Sequence, residues 1–173
     1  MPSIQAHGYL KQVLARDESV LYLSRQHGLV LLGHVMGELL FALTVVAAVF
    51  AAQVFFLPER PEVPYLYLIA LLAVPRLWWK TLEWRSRIYA VTSRRVVQLS
   101  GVLTKVVIDS LLEKVNDLKT DQSLLGRIFG YGDIQILTAS EAGRNDFRRI
   151  AHPLEFKRAI MDAKEALDRA GRQ

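Results

Sequence analysis

Residues 39–57 run nineteen positions without a charge, LLFALTVVAAVFAAQVFFL. As a helix rising about 1.5 Å per residue, that run reaches most of the way across the ~30 Å hydrocarbon core of a bilayer. A second apolar run follows at 63–75, VPYLYLIALLAVP, and leads into Arg76, Trp78 and Trp79. Only Pro58-Glu59-Arg60-Pro61-Glu62 separates the two, which leaves room for a tight helical hairpin and little else. The pattern predicts a transmembrane hairpin over residues 29–80, with the first helix starting near Gly28. Pro64 suits the first turn of the second helix, and Pro75 kinks or ends its membrane part. Arg76 and Lys80 can snorkel to the surface, and Trp78, Trp79 and Trp84 fit an interfacial belt.

On either side of the hairpin the periodicity changes. In the N-terminal segment, 1–28, residues 4–16 predict a short interfacial helix with Leu10, Val13 and Leu14 on one face, and 20–23 is a brief strand-like run. After Trp84, β-rich runs at 88–92, 95–99, 102–108, 113–121, 134–138 and 147–150 alternate with turn signals at Thr92-Ser93-Arg94, Ser100-Gly101 and 141–145. The segment 123–132, SLLGRIFGYG, holds a helical turn of apolar residues among three glycines. Phe156, Ile160, Ala163 and Leu167 then share one helix face behind Pro153. The prediction is an α+β chain in which antiparallel strands are closed by one amphipathic helix in a domain over 84–170.

Charge refines this picture. Of 22 Lys/Arg and 17 Asp/Glu in 173 residues, positions 80–173 hold seventeen and twelve, so they carry the whole +5 excess. So mixed a balance is not the dense basic stripe of a nucleic-acid binder; it suits a domain beside anionic headgroups. There are no cysteines, which excludes disulfides and thiolate metal sites. No cleavable signal is expected, because the first apolar run starts late and is too long. The N-terminal flank carries Lys11, Arg16 and Arg25, the connecting loop only Arg60, and the far flank Arg76, Lys80, Arg85, Arg87, Arg94 and Arg95. The positive-inside rule puts both termini and the domain on the cytoplasmic side of the plasma or inner membrane.

The run from Tyr89 to Thr138, YAVTSRRVVQLSGVLTKVVIDSLLEKVNDLKTDQSLLGRIFGYGDIQILT, followed by FRRIAHPLEFKRAI from Phe147 to Ile160, resembles the bacterial pleckstrin-homology (PH) domain family of small membrane proteins. The most telling words are Val91-Thr92-Ser93-Arg94-Arg95, Ser100-Gly101, Gln122-Ser123-Leu124-Leu125-Gly126 and Gly130-Tyr131-Gly132, with Ser24-Arg25-Gln26-His27 ahead of the apolar segments. The resemblance implies a PH-like fold, two packed antiparallel sheets with a C-terminal helix plugging one end. His152 stands where an Asn or Asp cap is more usual, so a looser helix start is expected.

Two groups of residues invite a functional reading. His34 and Glu38 are four apart on the first membrane helix and share a face. Intramembrane ionisable groups mark proton or ligand pathways, or else hydrogen-bond to each other or to another helix. The sequence HVMGE lacks the second histidine of a zinc motif. His27 and His34 share a face, but a bis-histidine haem needs a ligand from an opposing side that the second helix lacks. Arg85, Arg87, Arg94, Arg95 and Lys105 are candidates for anionic headgroups, though positive-inside charge accounts for some of them. The apolar residues of SLLGRIFGYG are expected to fill the sheet end or touch the bilayer. No GxSxG, P-loop or GxGxxG is present, and no catalytic group, metal or cofactor is expected. The preferred reading is a non-catalytic, membrane-anchored module with two spans that docks a protein partner or scaffolds an assembly, including with itself, and touches anionic lipid weakly. The alternatives are a transport or proton-relay component using His34 and Glu38, and an accessory subunit of a membrane enzyme complex.

Overall fold

The computed structural model describes residues 8–56, 60, 63–138 and 144–171. Most of the expected 58–62 connection, the start of the expected 4–16 helix and most of the turn at 141–145 lie outside those residues. The chain divides into two compact units: Gly28–Trp84, and the residues on both sides of it.

In the flanking unit, α1 (Gly8–Val13) precedes β1 (Val20–Arg25). After the insertion come β2 (Ile88–Thr92), β3 (Arg95–Ser100), β4 (Val106–Leu111), β5 (Val115–Asp121), α4 (Leu124–Phe129), β6 (Tyr131–Thr138), β7 (Arg144–Ala151) and α5 (Pro153–Ala170). Two antiparallel sheets form, ordered β1-β2-β3-β4 and β5-β6-β7. The strand-like run at 20–23 is thus not an isolated piece of the N-terminal segment. It is the edge strand of the first sheet, with Arg25 opposite Ile88 and Leu23 opposite Ala90. β4 starts later than the run at 102–108 suggests, because Gly101, at φ 94°, opens a longer connection that ends at Val106.

One core lies between the sheets and α5. Tyr89, Val91 and Val96 from the first sheet meet Ile134, Ile136, Phe147 and Ile150 from the second, and Phe156, Ile160 and Ala163 of α5 close over them. The i, i+4, i+7 spacing in α5 points one stripe at both sheets, as its periodicity predicts. A second cluster covers the other face of the first sheet, where Leu10 of α1 packs with Ile88, Ala90, Val97 and Leu99. The expected interfacial helix is therefore a packing element of the folded unit. Leu10 is fully buried, a burial worth about 1.5–3 kcal/mol. β2 is buried along its whole length because both of its faces are covered.

His152 starts α5 in the left-handed region, at φ 54°, without a side-chain cap; its carbonyl accepts the Phe156 N–H at 3.1 Å. Tyr22 on β1 reaches α5, its hydroxyl 3.1 Å from Glu155 Oε2 and its ring edge-on to Phe156. Burial, reinforced by that carboxylate, pushes the Tyr22 hydroxyl up to about 12.

The inserted unit holds α2 (Gly28–Ala51), continued by a π-helical turn (Ala52–Phe56), then a 3₁₀ helix (Val63–Leu72) and α3 (Ala73–Ser86). Among the described residues one helix, Gly28–Phe55, is long and apolar enough to cross a membrane. The second apolar run is 3₁₀ rather than the expected α-helix. It packs antiparallel to α2: Tyr67 Oη lies 3.5 Å from Gln53 Oε1, and Arg76 Nε lies 3.5 Å from Glu38 Oε1.

Ile160→Ala should lower the unfolding free energy of the full-length protein by about 2–5 kcal/mol through the cavity it leaves. Asp162→Ala, on the exposed side of α5, should change it negligibly. Urea denaturation followed by circular dichroism in mild detergent checks both.

Candidate functional site

The five basic candidates do not form one cluster. Ile88 pairs with Leu99, and Ser100 with Val106, so Arg87 and the Lys105 connection lie at one end of the first sheet. Arg94 and Arg95 sit at the β2–β3 turn, at the other end, five strand residues or about 17 Å away. Arg85 and Lys105 are exposed and Arg87 is half-buried; Lys105 Nζ donates to the Gly101 carbonyl at 2.8 Å.

Arg95 is fully engaged in the fold. Its Nε and Nη2 donate to Glu18 Oε1 and Oε2 at 2.9 and 2.8 Å, and its Nη1 donates to Asp109 at 2.6 Å. Nη2 also donates to the Val13 carbonyl at 3.1 Å. The Thr92 hydroxyl and the Ala15 N–H complete the Glu18 shell at 2.7 and 3.0 Å. The Glu18 side chain is 1% exposed. Burial alone would raise its carboxyl, but the hydrogen bonds from Arg95, Thr92 and Ala15 outweigh it and hold the group at about 2. The same contact with Glu18 raises Arg95 further, so it stays charged. Glu18 was not among the residues the sequence singled out; its partner is 77 positions away and nothing local marks it.

The end of the unit that holds Arg87 and Lys105 is also where the chain leaves for the insertion and returns. Gln26 bridges Ile150, the His27 N–H donates to the Arg149 carbonyl at 2.8 Å, and the His27 ring lies 5.5 Å from that of Tyr131. Arg149 adopts φ 51°, and its N–H donates to Asp133 Oδ1 at 2.6 Å. Tyr131 follows α4 directly. Ser123 caps α4 by accepting the Gly126 N–H at 3.1 Å, and Gly130 ends it in the left-handed conformation that a Cβ disfavours. A Cβ at Gly126 would meet the Tyr131 carbonyl at 2.5 Å. The glycines of SLLGRIFGYG thus fix a short, tight helix. Its Leu124, Leu125, Ile128 and Phe129 are exposed and do not fill the sheet end.

In the inserted unit Glu38 is buried and faces Arg76, whose guanidinium also lies 5.1 Å from the centroid of the Phe41 ring. The ion pair joins α2 to α3 through the partly exposed Arg76.

A depression of about 660 Å³ runs along the outer side of α5, past Leu154, Lys157, Met161 and Glu165, and one of about 490 Å³ lies between Asp121, Ser123, Asp133 and Arg149. Neither is lined by a histidine. Among the described residues no three His, Asp or Glu gather to hold a metal.

Glu18 makes stability pH-dependent. Its folded carboxyl binds a proton more weakly than the unfolded one, so the stabilisation is complete above about pH 4.5 and fades as pH falls toward 2. At about 1.4 kcal/mol per tenfold change in proton affinity, it amounts to about 3 kcal/mol at neutral pH. Glu18→Gln should lose about that much at pH 7 and flatten the decline between pH 5 and 2, as measured by denaturation over a pH series.

A model of the bacterial PH domain family matches residues 30–164, from within α2 to within α5. No curated protein and no solved structure matches the chain. PH domains are in general non-enzymatic interaction modules, and the two packed sheets closed by α5 agree with that fold. The chain belongs to the bacterial PH domain family.

Proposed function

We propose that this protein is a two-span, membrane-anchored PH-like module that holds a protein partner, or a second copy of itself, at the cytoplasmic face. The observation that carries the reading is the register of Arg25 opposite Ile88. Both flanks of the apolar insertion belong to one folded unit, so a chain that crosses a bilayer between them must cross it an even number of times. The first span is Gly28–Phe55. For the second, 3₁₀ geometry gains length: ten residues at about 2.0 Å plus 73–79 at about 1.5 Å reach about 30 Å. Leu43, Phe50, Leu68 and Leu71 are among many large apolar side chains of this unit left exposed, as lipid-facing positions would be.

Anchoring confines the domain to the membrane surface and raises its effective concentration for partners there. Arg85, Arg87 and Lys105, at the end where the insertion begins and returns, are the cations best disposed for anionic headgroups. Arg94 lies at the far end, and Arg95 is held by Glu18 and Asp109.

The orientation rests on the Lys/Arg asymmetry of the flanks. A cysteine at Glu59 should react with an impermeant thiol reagent in intact cells, and one at Asp168 should not. The reverse pattern would overturn the cytoplasmic assignment.

One observation supports a second reading: Glu38 Oε2 is buried without a hydrogen-bond partner among the described residues. A proton relay would need that group to ionise; a structural role needs only its contact with Arg76. On the structural reading Glu38→Gln leaves proteoliposomes unchanged, and Glu38→Leu weakens the α2–α3 pairing by about 0.6–2 kcal/mol. Proton or cation uptake by the wild-type protein that disappears in Glu38→Gln would establish the relay instead.

A further inference from the structure

We infer that the end of the β unit from which the apolar insertion departs is a membrane-penetrating surface, with α4 and the tip of the β3–β4 connection entering the headgroup layer. The inference rests on the membrane-anchored reading and adds to it a second contact with the same bilayer.

The first observation is apolar exposure. In the six residues of α4 only Gly126 is buried. Leu124 and Ile128 are 76% and 74% exposed, and Leu125 and Phe129 more than half. Leu103, at the tip of the β3–β4 connection, is 83% exposed. In water such a concentration is unfavourable and marks a contact surface.

The second is rigidity. Ser123 caps the helix, and Gln122 Nε2 donates to the Gly126 and Tyr131 carbonyls at 3.0 and 3.2 Å. The Gly130 N–H returns to the Gly126 carbonyl. The apolar side chains are held outward rather than left to collapse onto the sheets.

The third is location, read within the β unit alone. Tyr131, one residue past the α4 cap, has its ring in tilted contact with that of His27, the last residue before α2. Leu103 and Lys105 belong to the connection that begins beside Ser100, at the end where Ile88 resumes the sheet. α4 and Leu103 therefore share the end at which the chain enters and leaves the insertion.

The fourth is charge. Arg127 lies within α4, which contains no acid, and Arg85, Arg87 and Lys105 share the same end. Of the nearby acids, Asp121 pairs with Lys119 at 3.1 Å, and Asp133 accepts the Arg149 N–H. Cations around an apolar tip match an anionic headgroup layer.

Area favours lipid over protein as the occupant. Five such side chains offer roughly 500 Å², below the ~800 Å² per partner of a stable protein interface. A domain already tethered to the bilayer has lost its translational freedom, so a few side chains inserted about 5–10 Å suffice.

The chain has no cysteine, so single-cysteine variants of the full-length protein can carry a polarity-sensitive fluorophore. The protein is reconstituted in vesicles of roughly three parts phosphatidylcholine to one part phosphatidylglycerol, with lipid-borne quenchers at shallow or deep positions. Labels at Leu124→Cys and Ile128→Cys should shift to the blue and be quenched several-fold more by the shallow lipid than a label at Met161→Cys on α5. A label at Val46→Cys on α2 should be quenched by the deep lipid. If Val46 is quenched and Ile128 is not, the inference fails and the anchor stands; if Val46 is not quenched, both fail. A shielded Ile128 label that no lipid quenches would mean that a second copy covers α4, which also overturns the inference.

Discussion

The pairing of β1 with β2 is the constraint from which the rest follows. The two strands are separated in sequence by the whole apolar insertion, yet Arg25 and Ile88 face each other in register. Directly paired strand residues lie only about 4.5–5.5 Å apart at Cα. The insertion is therefore closed at its base by a strand pair, with two residues linking β1 to α2 and one linking α3 to β2. That closure requires the apolar segments to double back, in agreement with the Gln53–Tyr67 and Glu38–Arg76 contacts between them. It also puts the N-terminal segment into the same folding unit as the C-terminal strands.

What holds β1 there is chemistry at both of its ends. At the start, Glu18 sits beneath Arg95, and the guanidinium also gathers Asp109 and the Val13 carbonyl. Burying a carboxylate is costly unless its oxygens are satisfied, and here each oxygen accepts two hydrogen bonds. Removing Arg95 leaves the Glu18 carboxylate buried without its cation, so the network acts as a lock as well as a source of stability. At the far end, the Ser24 hydroxyl donates to the Ala151 carbonyl and Gln26 bridges Ile150, which ties β1 across to the second sheet. Between them, Tyr22 reaches α5 through Glu155 and Phe156.

Local signals carried much of this into the sequence, and long-range ones did not. The stripe Phe156, Ile160, Ala163 and the β-branched runs of β2 and β3 depend on spacing alone, so they are legible. The run at 20–23 is legible as a strand, but its partner is not, because register across an insertion leaves no local trace. Hydropathy marks 63–72 as apolar without separating 3₁₀ from α geometry. The five cations fall within residues 85–105, from the end of α3 across β2 and β3 to the β3–β4 connection, yet strands carry sequence neighbours apart, and only pairing registers sort them to opposite ends. Arg95 reads as an available cation until Glu18 is placed beside it. The exposure of α4 is likewise a property of packing: its four large apolar residues read equally well as core.

Disulfide trapping in the full-length protein shows directly whether β1 closes the base of the apolar insertion in a fixed register. Paired strand positions fall within the Cα range a disulfide accepts. A chain carrying Leu23→Cys with Ala90→Cys should cross-link efficiently under mild oxidation, whereas Leu23→Cys with Ile88→Cys, two residues out of register, should cross-link poorly. Equal yields from the two pairs, or none from the first, would mean that β1 does not hold this register against β2.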